Sequence, residues 1–95
     1  MVVSSFEKIE KEKLEDLRFP DSEVLSDPEK INQRQYDLEK ALALGNLEHS
    51  KIKIFFEDDN SCKYVDTTVW GITDSRVILK QGMVIPIYRI HSVEL

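Results

Sequence analysis

The chain has little of several features that would place a protein in a class at once. It holds one cysteine, Cys62, in 95 residues, which excludes an intrachain disulfide and a CxxC zinc ribbon. Three glycines and three prolines exclude collagen-like and low-complexity sequence. The longest apolar run is Ala41 to Leu44, far short of the roughly 20 residues of a membrane-spanning helix. We therefore expect one small domain without a membrane span.

Cations are also scarce, with 13 Lys and Arg against 18 Asp and Glu and a net charge of −5. This balance disfavours general binding to nucleic acid or to anionic membranes, because both need a cationic surface. The acid excess lies in residues 1–50, since residues 51–95 are neutral. Met1 to Ser5 shows neither the cationic nor the apolar part of a signal peptide. We expect a cytoplasmic protein.

The N-terminal half is predicted to be helical. It holds five of the twenty Val, Ile and Thr residues, the types that favour strands. Ser4 and Glu7 have capping-box spacing, which predicts a first helix over about 5–18. One arc of that helix is apolar and is formed by Phe6, Ile9, Leu14 and Leu17. Such an arc packs on the rest of the chain or binds a partner, so Leu14 and Leu17 are candidate partner-binding residues.

A second helix is predicted over about 28–44, after an acidic linker. Asp27 followed by Pro28 is a typical helix start. Gly45 is predicted to end the helix, because glycine readily adopts the left-handed conformation found after a helix C-terminus. The two helices would form a helical arm over residues 1–50.

The C-terminal half, 51–95, reads as five short strands. Gly71 predicts a bend or bulge, Gln81-Gly82 a tight hairpin with positive φ at Gly82, and Pro86 an edge strand or a bulge. A 3₁₀ turn is expected before the last strand. The strands are predicted at Lys51–Glu57, Tyr64–Thr73, Arg76–Lys80, Met83–Ile87 and His91–Leu95. The fold class is therefore α+β, with two N-terminal helices before a five-stranded antiparallel SH3-like or Sm-like barrel, in one folding unit.

Residues 69–93 carry a resemblance to a known family. A bent strand with Gly71, an apolar strand ending in a turn, and the element formed by Ile85-Pro86, Ile90 and Val93 follow one another. In this order they resemble the C-terminal part of Sm-like (Hfq-like) and related SH3-like small barrels. The resemblance implies a small barrel and, as one function, an RNA-binding oligomer. The chain as a whole is similar to small bacterial proteins without an assigned role, which implies a fold and no chemistry.

No convergent set of chemical groups is visible in the sequence. Cys62 follows the acidic pair Asp58-Asp59, which opposes formation of a thiolate. His49 and His91 could form a zinc site with Cys62 only if all three converge, and their spacing does not require it. P-loop, GxGxxG, GxSxG and HExxH motifs are absent. We expect no catalytic residue, no metal site and no cofactor, and hence no enzyme.

Two surface features stand out. Trp70 is either part of the core or an anchor for a protein partner. Phe55 lies in a basic strip with Lys51 and Lys53, and Lys63 is a further candidate member. Such a strip could stack a base and contact phosphates. The alternative for that strip is that Phe55 packs beneath a helix and the lysines protect an edge strand.

Two functions therefore stay open. The first is a non-enzymatic protein-interaction module or accessory factor of a larger cytosolic assembly, which would use its barrel edge or its helical arm. Its candidate residues are Trp70, Phe55, Leu14 and Leu17. The second is an Sm-like RNA-binding oligomer, disfavoured by charge, with Lys51, Lys53, Phe55 and Lys63 as candidates. Self-association stays open in both, and no membrane partner is expected.

Overall fold

The computed structural model describes residues 5–95 as two open β-sheets with one α-helix packed against them. The helix α1 spans Pro28–Glu48. The strands are β1 Glu7–Lys8, β2 Ile52–Glu57, β3 Cys62–Thr67, β4 Val69–Ile72, β5 Arg76–Leu79, β6 Val84–Pro86 and β7 Ile90–Glu94. Three 3₁₀ helices cover Lys11–Asp16, Lys80–Gly82 and Ile87–Arg89. In the described part of the chain, no helix is long and apolar enough to cross a membrane.

The strand pairing shows that the predicted barrel was wrong. The first sheet has the order β1-β3-β2-β7 and the second the order β4-β5-β6. Only Thr68 separates β3 from β4, so the predicted strand 64–73 is divided between two sheets. Within residues 5–95, β6 and β7 are not paired, and no closed barrel forms. The reason is that β6 ends at Pro86, which has no N–H to donate, and the following 3₁₀ turn carries the chain to the far edge of the first sheet, beside β2.

The prediction of two N-terminal helices was also wrong, because α1 is the only α-helix in residues 5–95 and lies between β1 and β2. Where 5–18 was predicted to be helical, β1 pairs in parallel with β3, and the Ile9 N–H donates to the Tyr64 carbonyl at 3.0 Å. Leu14 then enters the core from the short 3₁₀ helix Lys11–Asp16. Pairing with the open edge of β3 therefore overrides the local helix preference. The proposed capping residue Ser4 lies outside the described residues.

The second helix was predicted correctly at its start and wrongly at its end. Asp27 caps α1 by accepting the Glu29 N–H at 2.9 Å. The helix continues through Gly45 to Glu48, and His49 adopts the left-handed conformation instead, with φ 54°. Gly45 is buried where α1 meets the start of β4, and a Cβ there would overlap the Val69 carbonyl oxygen. Close approach of two backbones, not helix termination, therefore explains this glycine.

The core lies between α1 and the inner faces of both sheets. As the alternation predicted, Ile52, Ile54 and Phe56 are buried on one face of β2. Leu38 and Ala41 of α1 pack into the same core. The other fully buried apolar side chains are Val65, Val69, Val77, Leu79, Ile85 and Ile90.

Local predictions for the second sheet are confirmed. The β5–β6 hairpin turns at Gln81 and Gly82, whose φ angles are 68° and 82°. A register shift lies between Val69 and Gly71 against β5, as the bulge prediction required. Pro86 lies in the edge strand β6. Turn and bulge chemistry is local, which is why the sequence alone predicted these features.

Candidate functional site

The outer face of the second sheet carries an uncovered apolar row. Gly71, Ile78 and Val84 stand opposite one another across β4, β5 and β6. Trp70 lies in the bulge beside Gly71 and is 53% exposed, while Val84 is 40% exposed. Gly71 contributes no side chain, and the Ile78 side chain lies against it. We call these four residues the Trp70 face.

The free edge of β6 continues from this face. Leu79 donates its N–H to the Met83 carbonyl at 2.7 Å. Backbone groups of successive residues in an antiparallel pair point alternately toward and away from the partner strand. Met83 and Ile85 therefore face β5, whereas Val84 and Pro86 direct their backbone groups outward. The open edge offers the N–H and carbonyl of Val84, whereas Pro86 is buried.

A groove of about 640 Å³ runs between this edge and the segment that carries the first 3₁₀ helix. Its charged residues are Glu15 and Asp21 on one wall and Arg76 on β5. Val84 belongs both to the groove and to the Trp70 face. The remaining lining residues are Leu14, Leu17, Phe19, Gln81, Gly82, Met83, Pro86 and Tyr88. The groove and the Trp70 face thus form one continuous surface.

The outer face of the first sheet is covered by aromatic residues. The Phe6 ring packs edge-on against Phe55 and His91, with centroids 5.2 and 5.6 Å away. Tyr64 lies on the other side of Phe55, at 5.1 Å between ring centroids. On this sheet the N-terminal segment therefore covers the outer apolar side chains, whereas on the second sheet the corresponding side chains are exposed.

Three polar side chains meet at one end of this covered face. His91 Nε2 lies 2.9 Å from Glu57 Oε1, and the Cys62 thiol lies 3.8 Å from the same oxygen. All three residues are half-buried. Burial raises the pKa of the Cys62 thiol, and the neighbouring Glu57 carboxylate raises it further. The raised pKa disfavours the thiolate form, and this disfavours Cys62 as a nucleophile.

A buried ion pair supports the turn beside this cluster. Lys63 Nζ lies 2.9 Å from Asp58 Oδ2, and both side chains are almost fully buried. Burial acts to raise the pKa of Asp58, but the N–H groups of Ser61 and Asn60 and the Lys63 ammonium together lower it. Lys63 thus stabilises the β2–β3 turn through its ion pair with Asp58.

The residues proposed for protein binding have different environments. Leu14 is buried in the core, and Leu17 is packed against it. Phe55 is half-buried under Phe6. Trp70 alone of the four is exposed. The N-terminal segment, which was predicted as part of a helical arm, is therefore not free to bind a partner through Leu14.

The residues proposed for RNA binding do not share one surface. Lys51 is exposed, and Lys53 Nζ lies 3.7 Å from Glu94 Oε1. Lys63 is buried on the opposite face of the first sheet from Phe55. Moreover, β2 is a central strand, so its one lysine, Lys53, does not protect a sheet edge.

Sequence reasoning missed Glu57, whereas it predicted the edge position of Pro86 in β6. Glu57 stands directly opposite Cys62 across the four-residue turn 58–61, a pairing that the hairpin register could have indicated. The approach of His91 depends on a bulge between β2 and β7, for which the sequence carries no signal.

Comparison of the chain with family models, with curated proteins and with solved structures finds no match. The resemblance of residues 69–93 to Sm-like proteins therefore stays a prediction, and the geometry above is the basis for the function.

Proposed function

We propose that this chain is a non-enzymatic interaction module that binds an extended segment of another protein along the β6 edge and the Trp70 face. The observation that carries the proposal is the exposure of Trp70 in an apolar row that reaches the open backbone of Val84. Tryptophan is enriched at the energetic centres of protein interfaces. An exposed apolar row beside an unpaired strand edge is the arrangement used in β-strand addition.

The open edge suits a short segment. The N–H and carbonyl of Val84 can form one pair of backbone hydrogen bonds with an added strand. Pro86 presents no N–H outward, so the ladder cannot extend with full pairing. The same proline protects the edge against open-ended stacking of copies.

The charges around the groove favour a partner segment with net positive charge. Glu15 and Asp21 outnumber Arg76 along the groove, and the whole chain carries a charge of −5. Electrostatic complementarity mainly sets association rate and specificity, whereas the apolar contacts with Trp70 and Val84 supply affinity. The proposed partner is therefore a protein with an extended, apolar and basic segment.

The experiment is selection from a displayed library of random peptides, followed by affinity measurement for the peptides obtained. Trp70→Ala and Val84→Lys should each weaken binding by about tenfold or more, and amide shifts in the wild type should concentrate on β5 and β6. Leu47→Ala is the matched control, since Leu47 is 81% exposed on α1. Failure to select any peptide, or an equal loss with the control, would contradict the proposal.

Two further measurements test whether the partner is RNA or a second copy of this chain. Single-stranded RNA is titrated at two salt concentrations, because binding through phosphates weakens steeply with salt. Mass in solution is measured for the wild type and Val84→Lys. Submicromolar, salt-sensitive RNA binding would contradict the proposed function and support RNA binding instead. A stable dimer that Val84→Lys abolishes would show that the β6 edge binds a second copy of the chain.

A further inference from the structure

The cluster of Glu57, Cys62 and His91 combines three side chains that bind metals: a carboxylate, a thiol and an imidazole. Their potential ligand atoms all lie within 4.8 Å of one another. No role in the proposed peptide binding uses them, because they lie on the first sheet and the Trp70 face lies on the second.

The fold places the three residues together through strand register. Glu57 and Cys62 are a cross-strand pair at the β2–β3 turn. On the other side of β2, Phe55 is opposite Ser92 and Phe56 is opposite Ile90. His91 is the extra residue of that bulge, and its imidazole reaches Glu57. A bulge that redirects one side chain is a recurrent feature next to functional sites.

The distances fit a small divalent ion. With zinc bond lengths of about 2.0 Å to oxygen and nitrogen and 2.3 Å to sulfur, tetrahedral ligand atoms stand about 3.3–3.6 Å apart. The present distances of 2.9 Å from Nε2 to Oε1 and 3.8 Å from Sγ to Oε1 lie on either side of that range. Small side-chain rotations therefore suffice to admit an ion between the three groups.

The surroundings would support such an ion. The Arg89 Nε–H donates to the Glu57 carbonyl at 3.0 Å, and Arg89 Nη2 lies 3.9 Å from Glu57 Oε2, so the residue is held in place. The Phe6 ring lies against His91 and restricts the imidazole. Partial exposure of the three ligands leaves room for a water molecule.

We propose that Glu57, Cys62 and His91 bind one divalent transition-metal ion of the zinc class, with water as the fourth ligand. Binding of the ion would release the Cys62 thiol proton to solvent. The resulting thiolate and the imidazole select zinc-like ions over magnesium and calcium, which prefer oxygen ligands. The ion would join β3, β2 and β7 at one end of the first sheet. This site departs from the expectation, drawn from the sequence, that the chain has no metal site.

The test is titration of the full chain, purified with a chelator and then freed of it, with Co²⁺ followed by Zn²⁺. Cys62 is the only cysteine, so a thiolate-to-cobalt charge-transfer band reports on this site alone. We expect that band together with tetrahedral cobalt absorption, both removed by Zn²⁺. Zn²⁺ should also raise the thermal midpoint of the wild type, because it binds the folded site.

Cys62→Ser should remove the charge-transfer band, and His91→Gln should weaken cobalt binding by about tenfold or more. His49→Asn is the matched control, because it removes the other imidazole at a left-handed position that asparagine tolerates. It should bind cobalt as the wild type does. Absence of the band in the wild type would overturn the proposal even if a variant failed to fold, and so would equal loss in His49→Asn.

Discussion

The outer faces of the two sheets differ although one stretch of chain, β3 followed by β4, contributes to both. On the first sheet, Phe6 covers Phe55 and His91. On the second sheet, Trp70 and Val84 stay exposed. Similar apolar residues thus contribute to stability where a neighbouring segment covers them, and are available for binding where no segment of residues 5–95 does. The two surfaces therefore differ in whether a chain segment packs over them, and not in the types of residue that they carry.

The largest effect is expected from Gly45→Ala, which breaks the contact of α1 with the junction between the sheets. Alanine usually stabilises a helix interior, but here its Cβ would overlap the Val69 carbonyl oxygen. The free energy of unfolding should fall by about 2–4 kcal/mol, measured by chemical denaturation. Gly71→Ala is the matched control, since its Cβ would make ordinary contact with Ile78. Equal effects of the two substitutions would contradict this account of Gly45.

Gly82→Val should break the second sheet alone. Gly82 has a φ of 82°, and no atom of the described residues lies within 4 Å of the position of a Cβ there. The cost is therefore backbone strain rather than collision. We expect a loss of about 1–3 kcal/mol in unfolding free energy. Gly82→Asn, which tolerates this conformation better, should lose less. An unchanged denaturation midpoint for Gly82→Val would be inconsistent with the hairpin geometry.

Phe6→Ala and Trp70→Ala sharpen the comparison directly. Removing the half-buried Phe6 ring eliminates two edge-to-face contacts and should lower stability by about 1–2 kcal/mol. Trp70→Ala should change stability by less than about 0.5 kcal/mol because the ring is mostly exposed. Thermal and chemical denaturation of both variants is the measurement. A larger loss with Trp70→Ala would reverse the assignment of covered and open faces.

The smallest expected effect is a dependence of stability on acid pH. Hydrogen bonds and ion pairs lower the folded-state pKa values of two carboxyls. One is Asp58 in the β2–β3 turn, and the other is Glu23, whose Oε1 lies 2.7 Å from Nη2 of the buried Arg34. A lowered folded pKa contributes stability above the unfolded pKa, of about 4, and that contribution is lost as pH falls through the folded value. The thermal midpoint should therefore decrease when the pH is lowered below about 4. Asp58→Asn should show a weaker pH dependence than the wild type, whereas an identical profile would exclude Asp58 as a contributor.

Most of the strands after residue 50 could be predicted because their signals are local, but the strand predicted at Tyr64–Thr73 is divided between β3 and β4. Alternation in β2, the glycine turn at Gly82 and the edge position of Pro86 all depend on residues close in sequence. The segment 5–18 could not be predicted in the same way. Its Glu and Lys residues favour a helix locally, yet its backbone pairs with β3, a strand about 55 residues further along the chain.

The candidate site residues show the same difference between local signals and tertiary contacts. Trp70 was singled out from its type and position, but its exposure depends on a bulge and on the fact that no segment within residues 5–95 covers it. Lys63 was expected in a basic strip, yet the alternation of β3 turns it inward to Asp58. Glu57 was not predicted as a site residue, because Cys62 and His91 lie beside it only through the strand register.

The sequence by itself determined where most strands run, where the helix α1 begins and which turn needs glycine, because these choices depend on the chemistry of adjacent residues. The tertiary structure alone decided that the strands form two open sheets, that Phe6 covers one of them, and that Glu57, Cys62 and His91 converge. The physical reason is that such contacts form between distant segments. They are selected by the burial and hydrogen bonding of the whole chain rather than by local preference.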